Sequence, residues 1–302
     1  MACLLHSFVI MKIILVATDF SAASRNAAAY GMELATAFGA KLVLVNAYEQ
    51  RPTPVTDDQV VITPEDLRRI VQRQLTAEAG LLQTERTAPV ETACMAGSAR
   101  DAILAMAHST KADIIIAGMK VHGKRIRRIM GSTITALIRK STIPLIVVPE
   151  VAKYRVPAAL ALAAEDASPG SLPMPVMLQD ILDRFDPRLY LITVGKTPAG
   201  EVLQALDRPA NPKSKGPMPG PYYAYPLDKG FTHALADFTT AHQMDMLVMI
   251  PHRHSFPGRW FHKDDTRSLA FETDIPLLIL PESCLPVDPG QQTAPPALLS
   301  LS

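Results

Sequence analysis

Ile143-Pro-Leu-Ile-Val-Val-Pro-Glu150 returns 132 residues later as Ile275-Pro-Leu-Leu-Ile-Leu-Pro-Glu282. Asp113-Ile-Ile-Ile-Ala117 pairs with Asp245-Met-Leu-Val-Met249 at the same spacing. Further upstream the spacing is 147. There Lys41-Leu-Val-Leu-Val45 matches Arg188-Leu-Tyr-Leu-Ile192, and Leu15-Val-Ala-Thr-Asp-Phe-Ser21 matches Leu162-Ala-Ala-Glu-Asp-Ala-Ser168. The spacing falls once, by 15 residues, between Val45 and Asp113. Self-similarity at a fixed period marks a duplicated unit. These matches predict two copies of one domain, the second shorter in its middle.

The stretches between the matches alternate in character. Ile13–Thr18 is a continuous apolar run, the pattern of a strand buried on both faces. Ser24–Phe38 is Ala-rich and helical in period, with Gly39 placed to end it. Leu42–Val45 is the next strand. Thr63-Pro-Glu-Asp66 combines an N-cap, a proline at the first helical position and an acid at the third, opening a helix to about Glu78. Val90–Met95, Ser98–His108, Asp113–Ala117, Ser132–Lys140 and Leu145–Val148 then read as strand, helix, strand, helix and strand. Strands joined by helices of this length predict a doubly wound parallel sheet in each copy. In the second copy Pro169, Pro173 and Pro175 interrupt the helix after Asp166, and Pro198–Pro221 reads as a long loop. Helical pattern resumes at Thr232–His242, and Pro286–Ser302 is predicted to be disordered.

Composition bounds the function. Of 302 residues, 48% are hydrophobic and 20% charged, enough to fill two cores and inconsistent with a wholly disordered chain. Thirty Lys and Arg against 29 Asp and Glu leave a net charge of +1, so nucleic acid and membrane are not expected partners and any anion site must be local. Cys3, Cys94 and Cys284 form no CxxC or Cys/His ligand set, which favours a reducing, cytoplasmic setting. No apolar run is long enough to span a bilayer. Met1–Ile10 is apolar without a preceding Lys or Arg, so it reads as a short extension or an upstream start before Met11 rather than a signal peptide.

Open parallel sheets bind ligands beyond the carboxyl ends of their strands, at the switch point of the strand order. In the first copy one such end is Asp19-Phe20-Ser21, whose carboxylate suits an amino group or ribose hydroxyls. Another is Gly118, followed by a loop to Gly131-Ser132-Thr133. Glycines admit a phosphate close to the backbone, and the helix opening at Ser132 offers free N–H groups and a favourable dipole. Lys120–Arg128 between them carries five Lys and Arg that suit an anion. Taken singly, Asp19 also fits a helix-entry turn, and the basic loop a solvated face.

These residues resemble the universal stress protein family: Thr-Asp-Phe-Ser at the first strand end, then Gly118 and Gly131-Ser132 at the family's spacing. The resemblance spans Lys12–Glu282. His252-Arg-His-Ser-Phe256 through Phe261-His-Lys263 and the repeated last strand are similar to tandem members. It implies an adenine-nucleotide alpha-hydrolase-like fold in both copies, paired through their last strands as an intrachain pseudo-dimer. The implied division is an N-terminal extension (1–11), a first domain (12–150), a degenerate second domain (151–283) and a tail (284–302). ATP or AMP is the implied ligand, with Mg accompanying ATP, held by Asp19, Val45, Gly118, Gly131, Ser132 and Thr133 in the first domain only. A homodimer and an unidentified protein partner are further implications.

One departure bears on the ligand. The family's second glycine falls on Val121, with Gly123 two residues on, and a β-branched side chain works against a triphosphate. AMP-like or weak binding is the alternative. In the second copy Gly118, Gly131 and Ser132 become Ile250, Lys263 and Asp264, and an acid at a helix start repels phosphate. His252, His254 and His262 lack the usual carboxylate or Cys partners of a metal site, and Cys94 reads as a buried small apolar residue. No GxSxG, HExxH or P-loop motif is present, and no nucleophile–base–acid set supports a hydrolase. The readings that remain are a nucleotide-binding stress module, a ligand-free interaction scaffold and a slow ATP hydrolase.

Overall fold

The computed structural model describes residues 11–49, 63–84, 87–120, 131–165, 174–195, 222–226, 231–250 and 274–284. The first half runs β1 (Ile13–Ala17), α1 (Ala22–Phe38), β2 (Lys41–Tyr48), α2 (Pro64–Leu82), β3 (Val90–Ala96), α3 (Ala99–Ser109), β4 (Ile114–Met119), α4 (Ser132–Lys140) and β5 (Leu145–Pro149). The second runs β6 (Ala159–Glu165), α5 (Val176–Phe185), β7 (Arg188–Gly195), β8 (Tyr222–Pro226), α6 (Phe231–Ala241), β9 (Met246–Met249) and β10 (Leu277–Ile279). Helix ends follow local chemistry. The Ser21 and Ser98 hydroxyls cap α1 and α3, Thr63 and Asp66 form a reciprocal capping box on α2, and Gly39 ends α1 at φ 65°. Helix α2 continues to Leu82, past the predicted end at Glu78, which places that glutamate inside the helix.

All described strands form one sheet of order β3-β2-β1-β4-β5-β10-β9-β6-β7-β8. Every neighbouring pair is parallel except β5–β10, which is antiparallel. Each half thus carries the same doubly wound α/β order, with the switch point between its first and fourth strands. At the junction Ile146 faces Leu278, two positions related by the 132-residue spacing. Nearby, the Phe38 and Phe185 rings, related by 147, meet edge to face with centroids 5.4 Å apart. Equivalent positions meeting their own counterparts is the contact pattern of a two-fold interface. The pairing also covers two sheet edges. One continuous core lies on each face of the sheet and draws on both halves.

Element positions refine the repeat. β3, α3, β4 and β5 recur as β8, α6, β9 and β10 from starts 132 residues later, and β2 recurs as β7 at 147. The missing 15 residues therefore lie between the second and third strands, where residues 49–89 connect β2 to β3 and residues 196–221 connect β7 to β8.

The first strand corrects the sequence alignment. Ile13 pairs with Lys41, and Ala159 with Arg188, so β6 follows β1 at 146 rather than 147. Faces agree: Ile14 and Val16 share one core with Leu160 and Leu162, while Leu15 shares the other with Ala161. A one-residue slip would invert every side chain, so burial outweighs the identities at Leu162, Ala164, Asp166 and Ser168. By register the counterpart of Asp19 is Glu165.

Cys94 is a second correction. It is half-buried on the edge strand β3, with its Sγ 3.6 Å from Gln72 Oε1, rather than sealed in the core. Residues 1–10 of the N-terminal extension, Val121, Gly123, most of the basic loop, Asp166, the Pro198–Pro221 segment, His252, His254, His262, Lys263, Asp264 and residues 285–302 of the tail lie outside the described residues, while Met11 is buried in the core.

Candidate functional site

The turn after β1 is built from short polar side chains. Thr18 and Ser24 are buried, while Asp19 is exposed at the turn's outer edge. Asp19 Oδ1 accepts the Ser21 N–H at 3.0 Å, and Asp19 N–H donates to Ser24 Oγ at 3.3 Å. Phe20 adopts φ 62°, a left-handed conformation that costs an L-residue free energy, and its N–H donates to Thr18 Oγ1 at 3.0 Å. Partial burial pushes the Asp19 carboxyl up, but hydrogen bonds from Ser21 and Ser24 and the charge of Lys120 outweigh it and hold the group below the ordinary carboxylate value. Lys120 Nζ, just beyond β4, lies 3.8 Å from Asp19 Oδ2.

Opposite this turn stand Gly118 and Gly131, and their reasons for being glycine differ. A Cβ on Gly118 would collide with the Ala23 carbonyl and come within 2.7 Å of the Ser24 nitrogen, so α1 itself requires the glycine. That reason precedes any close approach of a phosphate. Gly131 has nothing within 4 Å of a Cβ and an ordinary φ of −58°, so neither packing nor backbone conformation within the described residues demands it. It is the N-cap of α4 without a side-chain capping bond. The Thr135 N–H donates to the Gly131 carbonyl at 3.0 Å and closes the first turn. Among the described residues no side chain caps the N–H groups that precede it, and with the positive end of the helix dipole they form an arrangement suited to an anion.

Turn and helix end enclose a cleft of about 450 Å³ at the switch point between β1 and β4. Its mouth is polar, with Asp19, Lys120, Gly131 and Thr133. Its floor and walls are apolar, with Ala47, Ile103, Ile134 and Leu137 among them. The volume falls in the range of small-molecule sites. Gly118 also lines it. Ser132 is exposed beside it and Val45 is fully buried, neither among its lining residues. The carbonyl of Val45 accepts the Thr18 N–H at 2.8 Å, so this residue supports the turn from beneath, and Ala47 reaches the cleft in its place.

The residues present fit a phosphorylated ligand: an open space where a Cβ would stand at Gly131, uncapped helix N–H groups and a lysine at the mouth. They fit an accompanying Mg ion in the manner usual for that metal, which takes one or two carboxylates and leaves its other positions to phosphate and water. Asp19 is the one carboxylate in the described lining. Among the described residues no cluster of three or more His, Cys, Asp or Glu could hold a metal alone, and no helix is long and apolar enough to cross a membrane.

Beneath the turn lies a buried polar group that sequence reasoning passed over. Glu78 from α2 is 6% exposed, accepts the Thr18 hydroxyl at 2.9 Å through Oε1, and holds Arg25 Nε 3.7 Å from Oε2. Asn46 Nδ2 donates to the Thr18 carbonyl at 2.8 Å. A signal was present in the sequence. Val71, Leu75, Glu78 and Ala79 form the buried stripe of α2, so a carboxylate occupies an apolar phase of the helix.

A doubly wound α/β domain with an anion-ready cleft at its switch point is the class that fold and site define. Within that class the assignment is specific: the family model described as Universal stress protein family matches residues 11–149, and this half of the chain belongs to that family. A universal stress protein from Archaeoglobus fulgidus DSM 4304 is similar in structure over 88% of this chain and 97% of its own, with a TM-score of 0.61 at 10% identity. A functionally unknown protein from Pseudomonas aeruginosa PAO1 is similar over 90% and 92%, with a TM-score of 0.52 at 12% identity. At such identities the likeness is one of fold, and it extends beyond residue 149 into the second half. A search of curated proteins finds no match.

Proposed function

We propose that the chain is a cytoplasmic stress-response module whose first half binds an adenine nucleotide in the cleft between Asp19 and Gly131. The observation that carries this is the opening at α4: a glycine N-cap with nothing beside its absent Cβ, uncapped N–H groups behind it and Lys120 at the mouth. The phosphates sit on α4, Asp19 receives ribose hydroxyls, and the base lies against the apolar floor by Ala47 and Ile103. ATP would bring Mg to its phosphates, with Asp19 the available protein ligand; AMP needs none. The adenine preference follows from the family resemblance.

The second half is proposed as a degenerate domain of the same family that binds no nucleotide. Its support is Ile250, buried at the position of Gly118. Its role is to pair through β10 with β5, making the chain a self-contained pseudo-dimer that leaves its outer surface to a protein partner.

Titration calorimetry of the full chain with AMP, ADP and ATP, with and without Mg, tests the reading. One site per chain with micromolar to millimolar affinity is expected. No heat for any of the three at millimolar concentration sinks it in favour of a scaffold. A slow ATP hydrolase needs a second group to orient water, and the described lining offers Asp19 as its one carboxylate. Phosphate release above that of a Gly131→Asp control would establish it.

A further inference from the structure

Glu78 is buried, charged and on a helix that lends no described residue to the cleft, which calls for an account of what it does. Its partner is Thr18, the last residue before the turn that carries Asp19. A hydroxyl has one proton and two acceptor sites. Because the Thr18 proton is committed to Glu78 Oε1 at 2.9 Å, its lone pairs are left for the Phe20 N–H, which arrives at 3.0 Å. The Ser24 hydroxyl repeats the logic. It donates to the Ser21 carbonyl at 3.0 Å and receives the Asp19 N–H at 3.3 Å, and a 3.1 Å contact joins it to Thr18 Oγ1. These two acceptors hold the backbone N–H groups of the two residues whose conformation aims the Asp19 carboxylate, one of them the left-handed Phe20. Strained backbone of this kind persists where its surroundings over-determine it. Here the surroundings are a relay from α2.

We propose that Glu78 is a positioning residue for the nucleotide cleft: by fixing the direction of the Thr18 hydroxyl it holds the Asp19-Phe20-Ser21 turn in its ligand-receiving form. The proposal rests on the reading of the cleft as a nucleotide site. Glu78 touches no ligand, and its effect reaches the site through Thr18 and the backbone of Phe20. Its ion pair with Arg25, whose side chain is 62% exposed, is screened by solvent and secondary to the hydroxyl bond.

Three variants separate positioning from bulk stability. Glu78→Gln keeps an acceptor oxygen for Thr18. Glu78→Leu removes it and leaves the Thr18 hydroxyl and Arg25 without their acceptor, which lowers stability as well. Thr18→Val removes only the hydroxyl and covers the case in which the leucine variant fails to fold. Two readouts are taken on the full chain: the affinity for AMP by calorimetry, and the exchange rate of the Phe20 amide hydrogen in the ligand-free protein. Expected are AMP binding weakened about tenfold in Glu78→Leu and Thr18→Val, Phe20 exchange accelerated by a similar factor, and wild-type behaviour restored to within about threefold in Glu78→Gln because the hydrogen bond survives. Unchanged affinity and exchange in Thr18→Val and Glu78→Leu overturn the proposal. So does Glu78→Gln behaving like Glu78→Leu, which would make charge rather than hydroxyl direction the cause. If wild-type protein binds no AMP, the nucleotide reading falls on its own, and the Phe20 exchange rates decide whether Glu78 sets the turn.

Discussion

The two halves share strand order and cores, yet they part company where the first strand hands over to the first helix. In the first half α1 begins at Ala22 and passes over Gly118 so closely that a Cβ there would strike the Ala23 carbonyl. In the second half the corresponding helix ends at the same repeat position, Phe185 against Phe38, but begins at Val176, seven residues later than the 147-residue spacing from Ala22 would place it. Ile250 stands at the position of Gly118, 3% exposed and part of the core that α5 covers. A helical turn and an isoleucine side chain cannot share that space. Gly118 and the early start of α1 are therefore coupled in the first half, whereas among the described residues the second half has Ile250 and a helix that starts at Val176. The glycine that a motif-based reading assigns to the ligand is first a glycine for the helix.

The comparison breaks most directly if the first half is given the second half's residue. Gly118→Ile forces a β-branched side chain into the α1 backbone, and the expected loss of stability is at least about 3 kcal/mol, beyond ordinary overpacking because the obstacle is main chain. Chemical denaturation of the full chain measures it. A loss below about 1 kcal/mol would mean that α1 moves aside cheaply and that glycine and helix are not coupled.

Gly131→Asp sharpens the contrast from the other side. The opening has room for the side chain, and aspartate is a better N-cap than glycine, so stability should hold or rise by a few tenths of a kcal/mol. Nucleotide affinity should fall tenfold or more, about 1.4 kcal/mol, because the new carboxylate takes the N–H groups and repels phosphate. Opposite signs in calorimetry and thermal melting are the diagnostic. If both fall together, the substitution has damaged α4 rather than filled a site.

Much of this was legible in the sequence because the signals were local. Thr63 with Asp66, Ser98 and Gly39 predict helix ends through hydrogen bonds a few residues long, and the repeated Ile-Pro-Leu runs mark the fifth strand of each half. Asp19, Gly118, Gly131 and Thr133 were legible as residues at strand and helix ends, and all four line the cleft. The register of β6 was not, because four identities at spacing 147 competed with a face pattern that only the pairing with β7 and β9 decides. Leu160 and Leu162 alternate with alanines, and counting which of them match the burial of Ile14 and Val16 would have found the shift. Glu78 was passed over for a different reason. A carboxylate in a helix full of charges reads as surface until the helix phase is fixed by the residues beside it, and its partner Thr18 lies 60 positions away.

Between the halves, Asp180 on α5 offers a pH test of how closely they sit. Burial, with Asp183 and Asp113 as like-charged neighbours, pushes its carboxyl up to about 6. Asp113 belongs to the first half, where its Oδ2 receives the N–H groups of Lys12 and Ile13 at 2.7 and 2.8 Å. A raised folded-state value means the protonated form is favoured in the fold. The stabilisation is complete at and below about pH 4 and is lost as pH rises through about 6. Asp180 is only half-buried, so solvent screening trims the effect to about 1 kcal/mol. Asp180→Asn should melt higher than wild type at pH 7 and flatten the stability curve between about pH 4 and 6. An unchanged slope there would mean that Asp180 is more solvated than the fold places it.

The smallest effect tests whether equivalent positions are energetically equivalent. Gly39 ends α1 at φ 65°, and Asp186, its counterpart 147 residues on, ends α5 at φ 49°. Both are left-handed, but the aspartate carries a Cβ that this conformation penalises and a negative charge at the negative end of the helix dipole. Asp186→Gly relieves both and gives back part of the gain as unfolded-state entropy. The net expectation is about 0.5–1 kcal/mol of added stability, or 1–3 °C in the melting temperature of a chain this size. Gly39→Asp should cost a similar amount, since it builds into the first half the cap that the second half tolerates. Equal and opposite shifts would show that the two helix ends remain interchangeable. The helix ends would then be excluded as a place where the halves have diverged.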